Sequence, residues 1–383
     1  MRGGSSRGGF FLAKDLPVDG LERTAWLLAA YGSPDSRQID GIGGADALTS
    51  KAAIVSKSSH PRADVDYTFC QVGIERPQVS TGGNCGNMLS AVGPFAIYKR
   101  LVQPTARETL VRIYTTNTKQ IVTAHIPMDG DLPAVEGDCK IAGVPGAFAR
   151  IMLDFGDCSG SVTGKLLPTG SPRNVITVDG RTIEVSLVDA ATPFVYVRAA
   201  DLGASGTELP ANLLADPRLM SRLEEVRGWA AQAIGLVDNA RDAADKSPNI
   251  PRVVMVAPPV GYQAIDGQYI TAEDCDLVVR QLAMQRPHKA LAVTGSVCTA
   301  VAAAVEDSVV AECRRSGSGQ VRLGHPSGVL QVSSVIQRDG EQHYRIREAK
   351  IERTARLIMS GDLFLSRNRI TEIRKILTAQ SVA

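Results

Sequence analysis

Short apolar runs rich in β-branched residues punctuate the first half of the chain. Residues 52–56, 109–114 and 120–126 each read as a strand bounded by clusters of Gly, Pro, Asn and Asp. Residues 181–188 and 194–197 continue that pattern beyond the loop at Thr169-Gly170-Ser171-Pro172. The period then changes. Between Pro217 and Ala243, Leu219, Leu223, Val226, Ala230, Ile234 and Val237 recur every three to four residues, which predicts an amphipathic helix interrupted near Gly235. A second helix is expected over Thr271 to Met284, with Thr271 as N-cap and Glu273 and Asp274 in the first turn, where negative charge is favourable.

Two places share a local design, a glycine-bearing turn leading into a helix of small residues. One is Gly82-Gly83-Asn84-Cys85-Gly86-Asn87-Met88-Leu89-Ser90-Ala91; the other is Thr294-Gly295-Ser296-Val297-Cys298-Thr299-Ala300-Val301. Glycines let backbone N–H groups approach an anion, and the start of a helix attracts negative charge. One such unit in each half suggests an internal repeat and hence two pseudo-symmetric lobes. A chain of 383 residues also exceeds the usual size of one compact domain. The boundary is expected near residues 180–190: residues 1–185 form an N-terminal lobe, and residues 186–383 form a second, whose last segment is free to pack back on the first.

Composition narrows the function. Hydrophobic residues are 44% of the chain and charged ones 21%, so it can bury ordinary cores, and a net charge of +2 without a basic stripe makes nucleic acid an unexpected partner. The most apolar stretch, Ala290 to Val305, is too short and too rich in Ala, Thr, Gly and Ser to span a bilayer. The seven cysteines form no CxxC pair, which suggests reduced thiols in a cytoplasm, with no disulfide framework or zinc knuckle. The basic, Ser-containing opening from Met1 to Gly9 lacks an apolar leader segment and is read as mature structure.

Familiar motifs fail on inspection. Gly41-Ile42-Gly43-Gly44-Ala45-Asp46 carries Asp46 where a dinucleotide fingerprint needs its third glycine. Gly164-Lys165 is followed by Leu166, so no phosphate-binding P-loop is present, and neither HExxH nor GxSxG occurs. The five histidines show no metal-ligand spacing.

What remains is a set of blocks in order along nearly the whole chain. Met1-Arg2-Gly3-Gly4-Ser5-Ser6-Arg7-Gly8, then Gly43-Gly44-Ala45-Asp46-Ala47-Leu48-Thr49-Ser50-Lys51, then Gly83-Asn84-Cys85-Gly86-Asn87 with Ala91-Val92-Gly93-Pro94-Phe95, are followed by Leu167-Pro168-Thr169-Gly170 and Gly324-His325-Pro326-Ser327-Gly328. Together they resemble the signature blocks of the PrpF family, which includes 2-methylaconitate isomerase, aconitate Δ-isomerase, 3-methylitaconate isomerase and 4-oxalomesaconate tautomerase. The resemblance implies an α+β fold of the diaminopimelate epimerase type, two lobes that are each a curled, mainly antiparallel sheet around a central helix. It implies an isomerase that shifts a double bond or changes its geometry in a small unsaturated di- or tricarboxylate, without metal or pyridoxal phosphate, and it marks Lys51 and Cys85 as the catalytic pair. Two departures point to altered substrate contacts. Ser5-Ser6-Arg7 stands where the family usually has Thr-Ser-Lys, and Ala45-Asp46-Ala47-Leu48 replaces a stretch usually rich in Thr and Ser.

The chemistry suits those residue types. Moving a double bond removes a carbon-bound proton beside a carboxylate and returns one elsewhere, through a delocalised dienolate. A base must be neutral at working pH, and a lysine, ordinarily near pKa ~10.4, is brought toward ~7–8 by burial and neighbouring cations, with Arg2, Arg7 and Lys57 as the candidates here. A thiol at a helix start is activated in the same way and can serve as acid, base or orienting group. Arg2, Ser5, Ser6, Asn84, Gly86, Asn87, Thr169, Gly295, Ser296, His325 and Ser327 are the expected substrate-binding groups, supplying amides, hydroxyls and charge to carboxylates and to the dienolate.

The bland readings stand beside these. A lone lysine is ordinarily a solvated charge, a lone cysteine ordinarily packing, and Gly324-His325-Pro326-Ser327-Gly328 is equally a structural turn. Two other functions stay open: a racemase or epimerase of the same fold using Cys85 and Cys298 as opposed thiols, and a non-catalytic accessory protein of an iron–sulfur dehydratase. A homodimer is left open as the assembly.

Overall fold

The computed structural model describes the chain apart from Gly82, Asp157, Ser316, Ser318, residues 340–343 and Ala383, and describes only the backbone of Ser381 and Val382. It divides into two compact units, residues 1–153 with 353–383, and residues 154–352. The division falls earlier than the boundary expected at 185. Strands at 174–178 and 181–190 are hydrogen-bonded in sequence to the strand at 192–198, and all three share one core through Ile176, Ile183, Val185, Val195 and Val197. Ladder pairing therefore assigns to the second unit a segment that turn composition had left with the first.

In the first unit, β1 (Arg2–Gly3) and β2 (Ser6–Leu12) form a tight hairpin with Gly3 opposite Ser6. Helix α1 (Gly20–Tyr31) follows; the Asp19 carboxylate caps it by accepting from the Glu22 N–H, and Gly32 ends it at φ +70°. β2 runs parallel to β3 (Lys51–Lys57) with Gly8 beside Lys51, and β3 pairs antiparallel with β4 (Val65–Val72), placing Lys51 opposite Gln71. After β4 come the short helices α2 (Gly86–Leu89) and α3 (Val92–Tyr98), whose Met88, Leu89, Val92, Phe95 and Ala96 are buried. β5 (Glu108–Thr115) then runs parallel to β4, and β6 (Gln120–Asp129) closes an antiparallel pair with β5.

The second unit repeats this scheme. β7 (Asn174–Val178), β8 (Arg181–Ala190) and β9 (Thr192–Arg198) form an antiparallel meander. Helix α4 (Pro217–Ala233) begins at Asp216, whose carboxylate caps the Arg218 and Leu219 N–H groups, and buries Leu219, Leu223, Val226 and Ala230. It stops where expected, because Gly235 turns the chain at φ +72°. β10 (Arg252–Ala257) runs parallel to β9, β11 (Leu277–Ala283) antiparallel to β10, β12 (Gln320–His325) parallel to β11, and β13 (Gly328–Arg338) antiparallel to β12. Helix α5 (Val293–Ala302) sits between β11 and β12 in sequence, as α2 and α3 sit between β4 and β5, and every residue of it is buried. Helix α6 (Arg367–Val382) belongs to the first unit, where Ile370 and Ile373 join α1 residues Leu27, Leu28 and Tyr31 in one core.

The helix expected over Thr271 to Met284 is not formed. The Thr271 N–H and hydroxyl do donate to the Asp274 carboxylate, each at 2.8 Å, but this closes a single turn. The β-branched run that follows is strand β11, with Leu277, Val278 and Val279 fully buried. A cap signal was real there, but continuous burial selected a strand. Among the described residues, no helix is long and apolar enough to cross a membrane.

Candidate active site

Lys51 is the first residue of β3, and β2 passes close beside it. A Cβ at Gly8 would stand 1.8 Å from the Lys51 carbonyl oxygen, so only glycine permits this approach. The carbonyls of Leu48, Ala47 and Ser50 on the segment leading to Lys51 are held by the Arg7 N–H and by the Gln71 side-chain amide. The buried Ser50 hydroxyl donates to Gln38 Oε1 at 2.7 Å.

Cys85 is the N-cap of α2. Its N–H donates to Asn84 Oδ1 at 2.7 Å, and its carbonyl accepts the first helical bond from Leu89 and a bond from the Tyr67 hydroxyl at 3.3 Å. From these two anchors the side chains meet: Lys51 Nζ lies 3.5 Å from Cys85 Sγ, as a donor to it, and 5.5 Å from the centroid of the Phe69 ring.

The β1–β2 hairpin packs directly against α2. Gly4 has φ +51°, and a Cβ there would stand 2.2 Å from Asn87 Oδ1. Asn87 Nδ2 donates to Ser5 Oγ at 3.1 Å. Arg2 is no frayed terminal charge; Nη1 donates to the Gly4 and Thr354 carbonyls and to Thr354 Oγ1, and the guanidinium lies 4.5 Å from the Phe148 centroid. Two donors there are unspent: Arg2 Nη2 and Ser6 Oγ are both buried and have no hydrogen-bond partner among the described residues. Buried donors without partners are costly unless a ligand or water fills them. Burial, then the charge of Arg356, pushes the Arg2 pKa below its usual value. Arg7 is exposed beside Gly44. Lys57, at the far end of β3, is six positions from Lys51 and so ~20 Å away at ~3.3 Å per residue, too far to act on it.

One unit thus brings Lys51, Cys85, Arg2, Ser5, Ser6, Asn84, Gly86 and Asn87 together. Gly82, quoted with this turn, lies outside the described residues. The remaining expected groups belong to the second unit. Thr169 Oγ1 donates to the Ser171 carbonyl at 3.3 Å in its own turn. Gly295 and Ser296 form no turn; they lie inside α5, whose N-cap is Ala292, and the Ser296 hydroxyl donates back to the Ala292 carbonyl at 2.9 Å. Gly295 is there for packing, since a Cβ would stand 2.4 Å from Gln281 Oε1 and 3.1 Å from Phe194 Cζ. Cys298 is fully buried, donates to the Val188 carbonyl at 3.5 Å, and has its thiol pushed up to about 12 by burial above all. A thiol so placed is packing, which removes the second partner of a two-thiol racemase. His325 is buried, with Nδ1 accepting from the Ser327 N–H at 3.2 Å, and the Ser327 hydroxyl donates to the Lys289 carbonyl.

Sequence reasoning missed Tyr67, Phe69 and Gln71. They share one face of β4 by alternation and stand opposite Val55, Ala53 and Lys51 of β3. The period-two pattern carried that signal, but the strand pairing needed to use it is not written in one sequence. Among the described residues, no group of three or more His, Cys, Asp or Glu side chains is gathered as metal ligands.

Set beside known proteins, the fold is of the diaminopimelate epimerase type, and the protein is an isomerase. It belongs to the PrpF family: the family model described as PrpF protein matches residues 1–366. The chain is 41% identical over 373 residues to 3-methylitaconate isomerase of Eubacterium barkeri, covering 97% of each chain. It is 37% identical over 377 residues to 2-methyl-aconitate isomerase of Shewanella oneidensis, covering 94% of each. A solved methylitaconate-delta-isomerase superposes with a TM-score of 0.85 at 41% identity, over 96% of this chain and 95% of that one.

Proposed function

We propose that this isomerase catalyses a 1,3-proton shift in a small unsaturated di- or tricarboxylate, with Lys51 and Cys85 as the acid–base pair. The observation that carries the reading is the 3.5 Å contact between Lys51 Nζ and Cys85 Sγ; the β1–β2 hairpin packed on the helix that follows Cys85 holds the unspent donors of Arg2 and Ser6. The neutral Lys51 amine takes a proton from the carbon next to a carboxylate, and the C–H electron pair spreads into the alkene and carboxylate as a dienolate. The Cys85 thiol gives its proton to the far carbon, the double bond moves, and no electron is gained or lost. Lys51 is then an ammonium and Cys85 a thiolate, and one proton passed from Nζ to Sγ restores the pair. Arg2, Ser5, Ser6 and the Cys85–Asn87 turn hold the carboxylates, whose developing charge such donors stabilise.

Relatives that act on methylitaconate and methylaconitate support the substrate class. A substrate with at least two carboxylates fits the number of donors around the pair. Seven cysteines outside any disulfide suit a reducing compartment, and we place the enzyme in the cytoplasm. The test is incubation with a panel of unsaturated mono-, di- and tricarboxylates in heavy water, read by NMR. Deuterium entry with double-bond migration in a di- or tricarboxylate is expected; equal turnover of monocarboxylates, or no exchange with any acid of the panel, contradicts the proposal.

A further inference from the structure

Two fully buried tyrosines hold the main chain of the pair. Tyr31 closes α1, and its hydroxyl lies between two strands, accepting from the Gly9 N–H at 2.8 Å and donating to the Lys51 carbonyl. Tyr67 lies on β4, and its hydroxyl donates to the Cys85 carbonyl at 3.3 Å. Each catalytic candidate therefore has its own main-chain carbonyl held by a phenol from a different element.

We propose that Tyr31 and Tyr67 are positioning residues that set the Lys51–Cys85 separation by clamping the two backbones from which those side chains depart. This rests on the reading of Lys51 and Cys85 as the acid–base pair. The geometry explains the arrangement. Lys51 begins a strand and Cys85 precedes a four-residue helix, so each side chain departs from the end of an element, and its phenol adds a side-chain hydrogen bond to the main chain there. A long lysine side chain amplifies a small tilt of its peptide into a large displacement of Nζ, and misplacement by about 1 Å can cost ~10²-fold in rate. Burial pushes the pKa of both phenols up, so each keeps its proton and remains a donor.

The test compares Tyr31→Phe, Tyr67→Phe, Lys51→Met and Tyr196→Phe. Tyr196 is an equally buried tyrosine of the second unit whose hydroxyl meets Thr299 Oγ1 at 3.3 Å, so its variant controls for the loss of a buried hydroxyl. Tyr31→Phe is expected to lower kcat by ~10–100-fold and Tyr67→Phe by less, with KM within ~2-fold of wild type, and Tyr196→Phe to keep its kcat. The clamp is overturned if both first-unit variants keep wild-type kcat while Lys51→Met is inactive, or if Tyr196→Phe loses as much as they do. Near-normal turnover by Lys51→Met is a different result, which removes the acid–base reading beneath the clamp. Should Tyr31→Phe not fold, Tyr67→Phe decides by the same kcat and KM criterion.

Discussion

The two units build the same order of antiparallel and parallel strand pairs and insert a helix at the same point, yet their equipment differs. Lys51 heads β3 in the first; the residue heading β10 in the second is Arg252. Cys85 precedes α2, whereas Ala292 precedes α5. The second unit does own a cysteine nearby, but Cys298 lies well inside α5, buried and hydrogen-bonded to the backbone. Fold supplies equivalent slots, and the residue in each slot decides what the slot does. A symmetric two-thiol racemase needs a thiol in both; this chain has one thiol with a lysine beside it, which suits moving a proton between two carbons of an unsaturated acid.

The sharpest way to break this contrast is to disarm each unit in turn. Lys51→Met should lower isomerisation by ~10²–10⁴-fold, the usual value of a placed general base, as measured by steady-state turnover on whichever acid the panel identifies. Cys298→Ser should leave kcat within about twofold, since its thiol faces the Val188 carbonyl; a loss as large as that of a first-unit variant would return Cys298 to the chemistry.

Smaller effects test whether the second helix is packing throughout. Gly295→Ala should destabilise by ~1–3 kcal/mol, because the added methyl meets Gln281 and Phe194, and a lowered melting temperature checks it. The pH dependence is subtler. Burial raises the Cys298 pKa to about 12 in the folded protein, above its value of 9.0 when unperturbed. The unfolded chain therefore loses this proton first, and the contribution of the buried thiol is whole below pH 9 and declines as pH rises toward 12. The melting-temperature gap between wild type and Cys298→Ala should narrow over that window.

Much of this was legible in the sequence where physics is local. β3, β5, β6, β8 and β9 follow from their β-branched runs, α4 from its period and from Gly235, and Cys85 at a helix start from the glycines around it. What failed was non-local. Asp274 and Thr271 make a true capping contact, but burial on both faces made the next residues a strand. Gly295-Ser296 looked like Gly83-Asn84 by composition, and only the packing against Gln281 and Phe194 shows that its glycine serves close contact within a helix. Tyr31, Tyr67 and Phe69 were invisible as site residues because their roles depend on which strands pair.

The central claim is that Lys51 removes the proton and Cys85 returns one, and Cys85→Ser separates the two steps. Substrate deuterium exchange and net isomerisation are measured together by NMR in heavy water. A serine hydroxyl keeps the size and hydrogen bonding of the thiol but is too weak an acid to protonate the far carbon. The account predicts that exchange persists while isomerisation is nearly lost; exchange and isomerisation falling together by one modest factor would contradict it.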